Sequence, residues 1–321
     1  MTCLLCNKKI NKIIATKIRN GENRNVYYCD KCELGMLDNE KNEEELKKFY
    51  SKEYREKFKP KIDKKTTPQE LFDTYSLFQQ NRVNLIKKHL KKNVRLLEIG
   101  CSAGMFLYQI KKHIKEIVGI DYDLESAKFA SEKCDCAVFT EEIEKTNLEK
   151  KTFDIICAFQ TLEHIKNPYN FLSTIIQYLK PGGIIYLEVP NLNDILIHAY
   201  NLPYYYNFYF HSAHLWYFTD KSFKKITQKT GLKGNIYFSQ DYNFLNHMNW
   251  IINDFPQESC IPGLSLPSFP IRSGASAKTK NTLDKFIKNT DKRYKKMLAN
   301  LGIASNISFI GKVSLKQNNS Q

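Results

Sequence analysis

Two stretches, residues 94–107 and 117–123, constrain the fold of this chain more than anything else in it. The first runs Val94-Arg95-Leu96-Leu97-Glu98-Ile99 into Gly100-Cys101-Ser102-Ala103-Gly104 and then Met105-Phe106-Leu107. It reads as a short apolar strand, a turn with two glycines and a helix start. The second is another apolar strand, closed by Asp121. Together they make half of a mononucleotide-binding unit. Gly100 can take the tight backbone conformation that a Cβ would block, and Gly104 lets the helix start lie close to a ligand. Asp121 stands where a carboxylate can accept both hydroxyls of a ribose. The spacing departs from G-x-G-x-x-G, because Ser102 fills the place of the second glycine. A pyrophosphate needs close approach of several backbone amides, so this turn fits a ligand tail without phosphate better. The bland alternative is an ordinary strand–turn–helix.

Downstream, strand and helix keep alternating. Residues 124–133 read as a helix, 137–139 as a third strand, 153–159 as a fourth, 169–179 as a helix and 184–189 as a fifth strand. Such alternation predicts an α/β fold with a doubly wound, mostly parallel sheet. Ligands in these sheets bind at the carboxyl ends of the strands, where Glu98, Asp121, Gln160 and Asn191 fall. Upstream, residues 69–92 place Leu71, Tyr75, Phe78, Leu85, Ile86 and Leu90 on one helical stripe, interrupted only by Arg82. Beyond the fifth strand we expect a helix at 220–230, a sixth strand at 236–239, a proline-rich loop at 255–277, an amphipathic helix at 279–301 and a final strand at 306–316. A polar tail, 316–321, follows.

The N-terminus carries Cys3-x-x-Cys6 and Cys29-x-x-Cys32. Each pair can form a knuckle whose thiolates point at one ion, and four thiolates complete a tetrahedral structural zinc site with no open position. The interval suits a small β-ribbon, with strands at 12–19 and 25–28 turned at Asn20-Gly21. A ribbon this small could scarcely fold without its metal. The remaining cysteines are scattered and read as small buried hydrophobes. Residues 36–66 are charged, with Phe49, Tyr50 and Tyr54 forming a modest aromatic face.

The chain has 321 residues, 42% of them hydrophobic, which is enough for a full core. It contains no apolar run of about 18 residues, so no membrane span is expected, and no basic-then-apolar leader. We therefore expect a cytoplasmic location. The net charge of +15 could attract a polyanion, but the lysines are spread widely and read first as a solvated surface.

Residues 96–104, "LLEIGCSAG", with "GID", "FDIICAFQTLEH", "LKPGG" and "EVPN", resemble in order and spacing the motifs of the class I S-adenosylmethionine (SAM) methyltransferases over about residues 69–240. The resemblance implies a seven-stranded Rossmann-like sheet whose last strand is antiparallel and inserted beside the sixth. It implies a SAM site formed by Glu98, Gly100, Cys101, Gly104, Asp121, Tyr122, Glu141 and Gln160. In that family the loop faces the methionine moiety, the acid after the second strand holds the ribose, and residues after the third strand border the adenine. The helix before the first strand covers the cleft. With the cysteine pairs and "FYSKEY", the chain is similar to a branch found among surface-polysaccharide biosynthesis enzymes, in which a zinc knuckle precedes the methyltransferase domain. The domain expectation is a zinc-ribbon module with linker helix over 1–58 and a methyltransferase domain over 59–321. Within the latter, 93–240 forms the core and 192–218 and 253–301 the lid and insertion.

Residues 192–218 crowd Tyr200, Tyr204, Tyr205, Tyr206, Phe208, Tyr209, Phe210, Trp216, Tyr217 and Phe218 around His211 and His214. The segment follows the fifth strand, so it can lie over an open cleft and stack on a sugar or base, or its rings can pack a lid or an oligomer contact. The sulfonium of SAM carries the difficult chemistry, leaving the protein to align an acceptor and manage one proton. His164, in the loop after the fourth strand, and His214 are the candidate bases, with Glu163 as an orienting partner. The expected acceptor is a sugar or glycan hydroxyl, as a nucleotide sugar or a larger glycan. Methylation of a keto sugar on carbon and of a ring nitrogen in RNA remain alternatives. The fourth strand lacks the Asn/Asp-Pro-Pro-Tyr/Phe sequence that exocyclic amine methylation on nucleic acids uses. A homodimer is compatible with the sequence.

Overall fold

The computed structural model describes residues 1–38, 42–49 and 66–314. The expected aromatic face at Tyr50 and Tyr54, the domain boundary near residue 58 and the polar tail lie outside the described residues.

Three short strands open the chain: β1 (Ile13–Lys17), β2 (Asn23–Cys29) and β3 (Leu34–Leu37). The main sheet is built from β4 (Arg95–Ile99), β5 (Glu116–Ile120), β6 (Ala137–Phe139), β7 (Phe153–Phe159) and β8 (Leu179–Pro190). After β9 (Trp216–Phe218) come β10 (Leu232–Ser239) and β11 (Asn306–Val313). The main sheet has seven strands among the described residues, in the order β10-β11-β8-β7-β4-β5-β6. β4 pairs in parallel with β5 and β7, and β7 with β8. β11 runs antiparallel between β8 and β10. This is the expected doubly wound α/β sheet with its last strand inserted.

The central strands are apolar on both faces because helices cover both. Leu97, Val118, Ile156 and Ile185 belong to one core, and Leu96, Ile155, Cys157 and Tyr186 to the core on the opposite face. Each such aliphatic side chain contributes about 1.5–3 kcal/mol when fully buried.

Three local expectations differ. The helix foreseen over 69–92 is two helices, Pro68–Tyr75 and Gln79–Ile86, joined and followed by tight turns at Ser76–Phe78 and Lys87–His89. Phe72 and Ile86 are its buried anchors. The helix before β8 ends at Ile175, and β8 begins at Leu179, because Gly182 (φ 78°) allows a bent strand start. The loop after residue 255 contains the short helix Ile261–Leu264, packed on Phe244–Asn253 through Gly263 and Asn246.

The N-terminal ribbon is larger than its sequence suggested. β3 pairs antiparallel with both β2 and β9, giving a second sheet in the order β1-β2-β3-β9. β9 comes from the aromatic segment that the sequence assigned to a lid. Gly35 makes the pairing possible, since a Cβ there would lie 3.0 Å from Cβ of Tyr217.

Candidate active site

The carboxyl ends of β4, β5 and β7 bring two groups of polar side chains together. The first surrounds the glycine turn. Gly100 and Gly104 have φ of 78° and 79°, a region closed to most side chains. Their surroundings add a packing reason for Gly104. An added Cβ would sit 2.8 Å from Sγ of Cys134 and 3.0 Å from Cβ of Ala130, so this glycine admits the helix Leu124–Cys134. At Gly100 a Cβ would collide with the hydroxyl of Thr161. Cys101 turns its thiol into the core over Gly119, leaving only its backbone to face a ligand.

Asp121 accepts from the amide of Ser102 (2.7 Å) through one oxygen and from that of Asp123 (2.9 Å) through the other. Glu98 is buried, and its Oε2 has no hydrogen-bond partner. Burial, reinforced by Asp121 and opposed by Arg82, holds its pKa well above the usual carboxylate range. Tyr122 is half-buried behind Asp121, and Glu141 is exposed beyond β6. Gln160 takes φ of 50°, strained for a non-glycine residue. Its amide donates to the carbonyl of Glu188 (2.8 Å) and its Nε2 to Oδ1 of Asn306 (3.2 Å).

The second group lies beside the first. Glu163, on the turn Leu162–His164, is 0% exposed, and neither carboxylate oxygen has a hydrogen-bond partner. Burial pushes its pKa up to about 8; Glu188 adds to this, while its own amide and Arg82 oppose it. Nδ1 of His164 lies 2.9 Å from the carbonyl of Ala213. Burial lowers the His164 pKa to about 4, against that carbonyl's upward pull. Nε2 of His214 is 3.8 Å from Oε1 of Glu163. Burial and then His164 and Arg19 hold the His214 pKa well below its ordinary value. The cluster by itself is therefore a set of neutral imidazoles rather than an ion pair at neutral pH. His211 packs its ring 3.8 Å from that of His214.

Two contacts hold these loops in place. The amide of Leu215 donates to the carbonyl of Glu163 (2.8 Å), and Nε1 of Trp216 to that of Ile165 (2.7 Å). The aromatic segment serves mainly as packing. Phe210, Tyr217 and Phe218 are buried; the first two join β1 and β2 in one cluster, and Tyr205 and Phe208 pack around Trp250. Tyr209 retains a buried hydroxyl without a hydrogen-bond partner.

Comparison with known proteins adds to this geometry. Residues 63–235 match the model of a methyltransferase domain family. This chain belongs to that family. The chain is 31% identical over 111 residues to phosphoethanolamine N-methyltransferase 1 of Zea mays, covering 32% of this chain and 22% of that protein. It is 30% identical over 110 residues to the ubiquinone biosynthesis O-methyltransferase of Rhodopseudomonas palustris (strain TIE-1), covering 32% of this chain and 42% of that one. The chain thus spans less than half the length of these curated relatives. Among solved structures, a SAM-dependent methyltransferase from Archaeoglobus fulgidus is similar at a TM-score of 0.49 and 21% identity, over 76% of this chain and 97% of that one. A methyltransferase domain is an enzyme, and its cofactor is SAM. The residues present fit that cofactor: a carboxylate, Asp121, follows the end of β5 beside the turn, and Glu98 presents an orphaned buried oxygen there.

Sequence reasoning missed Arg82. Its guanidinium donates to Oε1 of Glu188 twice, at 2.6 and 2.9 Å, next to Gln160 and Asn306. A cation interrupting an apolar stripe was the available signal. It also missed Arg19, which stacks 3.8 Å over Phe208 and donates to its carbonyl (2.7 Å).

The sulfurs of Cys3, Cys6, Cys29 and Cys32 lie within 4.8 Å of one another. Tight turns bring each pair together, with the Asn7 amide bonding to Cys3 O and the Glu33 amide to Cys29 O. Four soft thiolates at one point suit Zn2+, which would hold the knuckles in a closed tetrahedral shell. Nζ of Lys225 sits 3.1 Å from Sγ of Cys32 and can offset thiolate charge. Among the described residues no helix is long and apolar enough to cross a membrane.

Proposed function

We propose that this protein transfers the methyl group of SAM to a hydroxyl oxygen of a sugar or glycan, in the assembly of a surface polysaccharide. The observation that carries the oxygen acceptor is the meeting of Glu163, His164 and His214 at the end of β7, beside the proposed cofactor turn. A hydroxyl is a poor nucleophile until it loses its proton, and a positioned imidazole can take it, for a gain of about 10²–10⁴ in rate. An amine acceptor that is already neutral has a free lone pair and needs no such group. The sugar acceptor draws its support from the tyrosines beside this cluster, including the buried, unpartnered hydroxyl of Tyr209, since tyrosines offer sugars both a face and a hydroxyl. In this reading SAM supplies an electrophilic methyl group when bound. Glu98 and Asp121 would hold its methionine and ribose ends, and the backbone from Gly100 to Gly104 would shape the turn between them. The cysteine cluster would hold a structural Zn2+.

The test is a transfer assay with labelled SAM against a panel of nucleotide sugars, with product NMR to locate the methyl group. A methylated sugar oxygen supports the proposal. A carbon-bound methyl group would redirect it to a keto sugar. His214→Ala should lower turnover at least about a hundredfold while leaving SAM binding intact. Full turnover in both His164→Ala and His214→Ala would refute acid–base catalysis by these rings.

A further inference from the structure

The loop after β7 and the segment before β9 aim three ligating side chains at one point. Glu163, His164 and His214 each offer one donor atom, and the three atoms lie within 4.8 Å of one another. Glu163 is wholly buried, with both carboxylate oxygens lacking a hydrogen-bond partner. A buried polar group left this way is destabilising, more so when charged. The 3.8 Å separation from Nε2 of His214 is too long for a hydrogen bond. The geometry of His164 is the second pointer. Its Nδ1 faces the carbonyl of Ala213 at 2.9 Å. A carbonyl only accepts, so Nδ1 carries the proton and Nε2 the lone pair. Metal-ligating imidazoles are oriented in this way, with the distal N–H fixed on a carbonyl or carboxylate.

We propose that Glu163, His164 and His214 bind one divalent first-row transition ion, at a site distinct from the four cysteines. Two imidazole nitrogens and one carboxylate oxygen form a borderline donor set, suited to Zn2+, Fe2+ or Co2+ rather than to Ca2+ or Mg2+. Three protein ligands leave coordination positions open, unlike the closed shell of four thiolates. The inference rests on the oxygen-acceptor reading and deepens it. An ion here would hold the acceptor oxygen and make its hydroxyl more acidic, a duty that otherwise falls to an imidazole.

The test uses the full chain with zinc at the cysteines, dialysed free of loosely held ions and titrated with Co2+. Calorimetry gives the stoichiometry, and visible absorption gives the ligands, because thiolate-to-cobalt charge-transfer bands mark the cysteine site. The expected result is one Co2+ per chain bound without those bands. Glu163→Gln and His214→Ala should each weaken it at least about tenfold, with SAM affinity near wild type. Absence of this Co2+ in the wild type, or wild-type affinity in Glu163→Gln, overturns the site. Glu163→Gln is isosteric, and its thermal transition confirms folding, so it decides the matter even if His214→Ala misfolds. SAM calorimetry on the wild type separates the two readings: SAM bound without Co2+ removes only the ion, whereas no SAM binding removes the methyl-transfer reading itself.

Discussion

The two halves of the cleft treat their carboxylates in opposite ways. Asp121 is tied through both oxygens to backbone amides of its own neighbourhood, while Glu163, buried nearby, is tied by neither. The cofactor half owes its shape to backbone geometry: two left-handed glycines, a helix start and short loops between parallel strands. The proposed acceptor half is held by tertiary contacts with the second sheet, which carry His214 and β9 into place. A site formed within one βαβ unit is complete once that unit folds. A site borrowed from an N-terminal ribbon depends on the ribbon.

The largest expected effect breaks that dependence directly. Replacing Cys29 and Cys32 with Ser, which removes two ligands of the proposed structural ion, should release β3 and therefore β9. Structural zinc sites in small peptides supply about 10–16 kcal/mol, far more than so short a sheet can replace. Turnover should vanish while SAM affinity falls by only a few-fold. If both are lost together, the two halves fold as one unit and the contrast fails.

A smaller effect should appear on the other side. Asp121→Ala removes the charged acceptor proposed for two ribose hydroxyls, each bond contributing about 1.5–3 kcal/mol. SAM affinity should drop about a hundredfold or more by calorimetry, with the second sheet intact by hydrogen exchange. Gly104→Ala comes next. Crowding Cys134 and Ala130 should cost about 1–3 kcal/mol of stability, read as a lower midpoint in urea. Its effect on SAM affinity should be indirect, because the added methyl group meets protein.

The same contrast explains what could be read from the sequence. The parallel strands were legible because burial on both faces writes continuous apolar runs such as Phe153–Phe159. The glycine turn and Asp121 were legible because local backbone geometry demands particular residues at fixed spacing. β3 was not, since four residues containing Gly35 carry no period, and its second partner, Trp216–Phe218, lies far along the chain. Arg82 was visible only as a flaw in a stripe, because its partner Glu188 is 106 residues away. Packing by the aromatic segment was legible, but long-range pairing hid its partners. Phe210 and Tyr217 resemble exposed lid residues until Ile18 and Val26 cover them.

The smallest expected effect separates the halves by pH. Asp194 is buried and caps the short helix Ile195–His198, with Oδ1 accepting from the amide of Leu196 (2.8 Å). Burial raises its pKa to about 7, against the pull of that amide. The folded carboxyl thus keeps its proton over a range where the unfolded one, with a pKa near 3.9, has lost it. Its contribution to stability is complete below about pH 4 and is lost as pH rises through about 7. Within that window the slope is at most about 1.4 kcal/mol per pH unit. Asp194→Asn keeps a capping oxygen and removes the proton, so the difference in stability between variant and wild type should widen between about pH 5 and 7 and level off above. Hydrogen exchange should place the wild-type loosening in residues 194–209, against Tyr205 and Tyr209, and leave the glycine turn unchanged. Equal loosening at Gly100–Gly104 would show that the two halves share one cooperative unit.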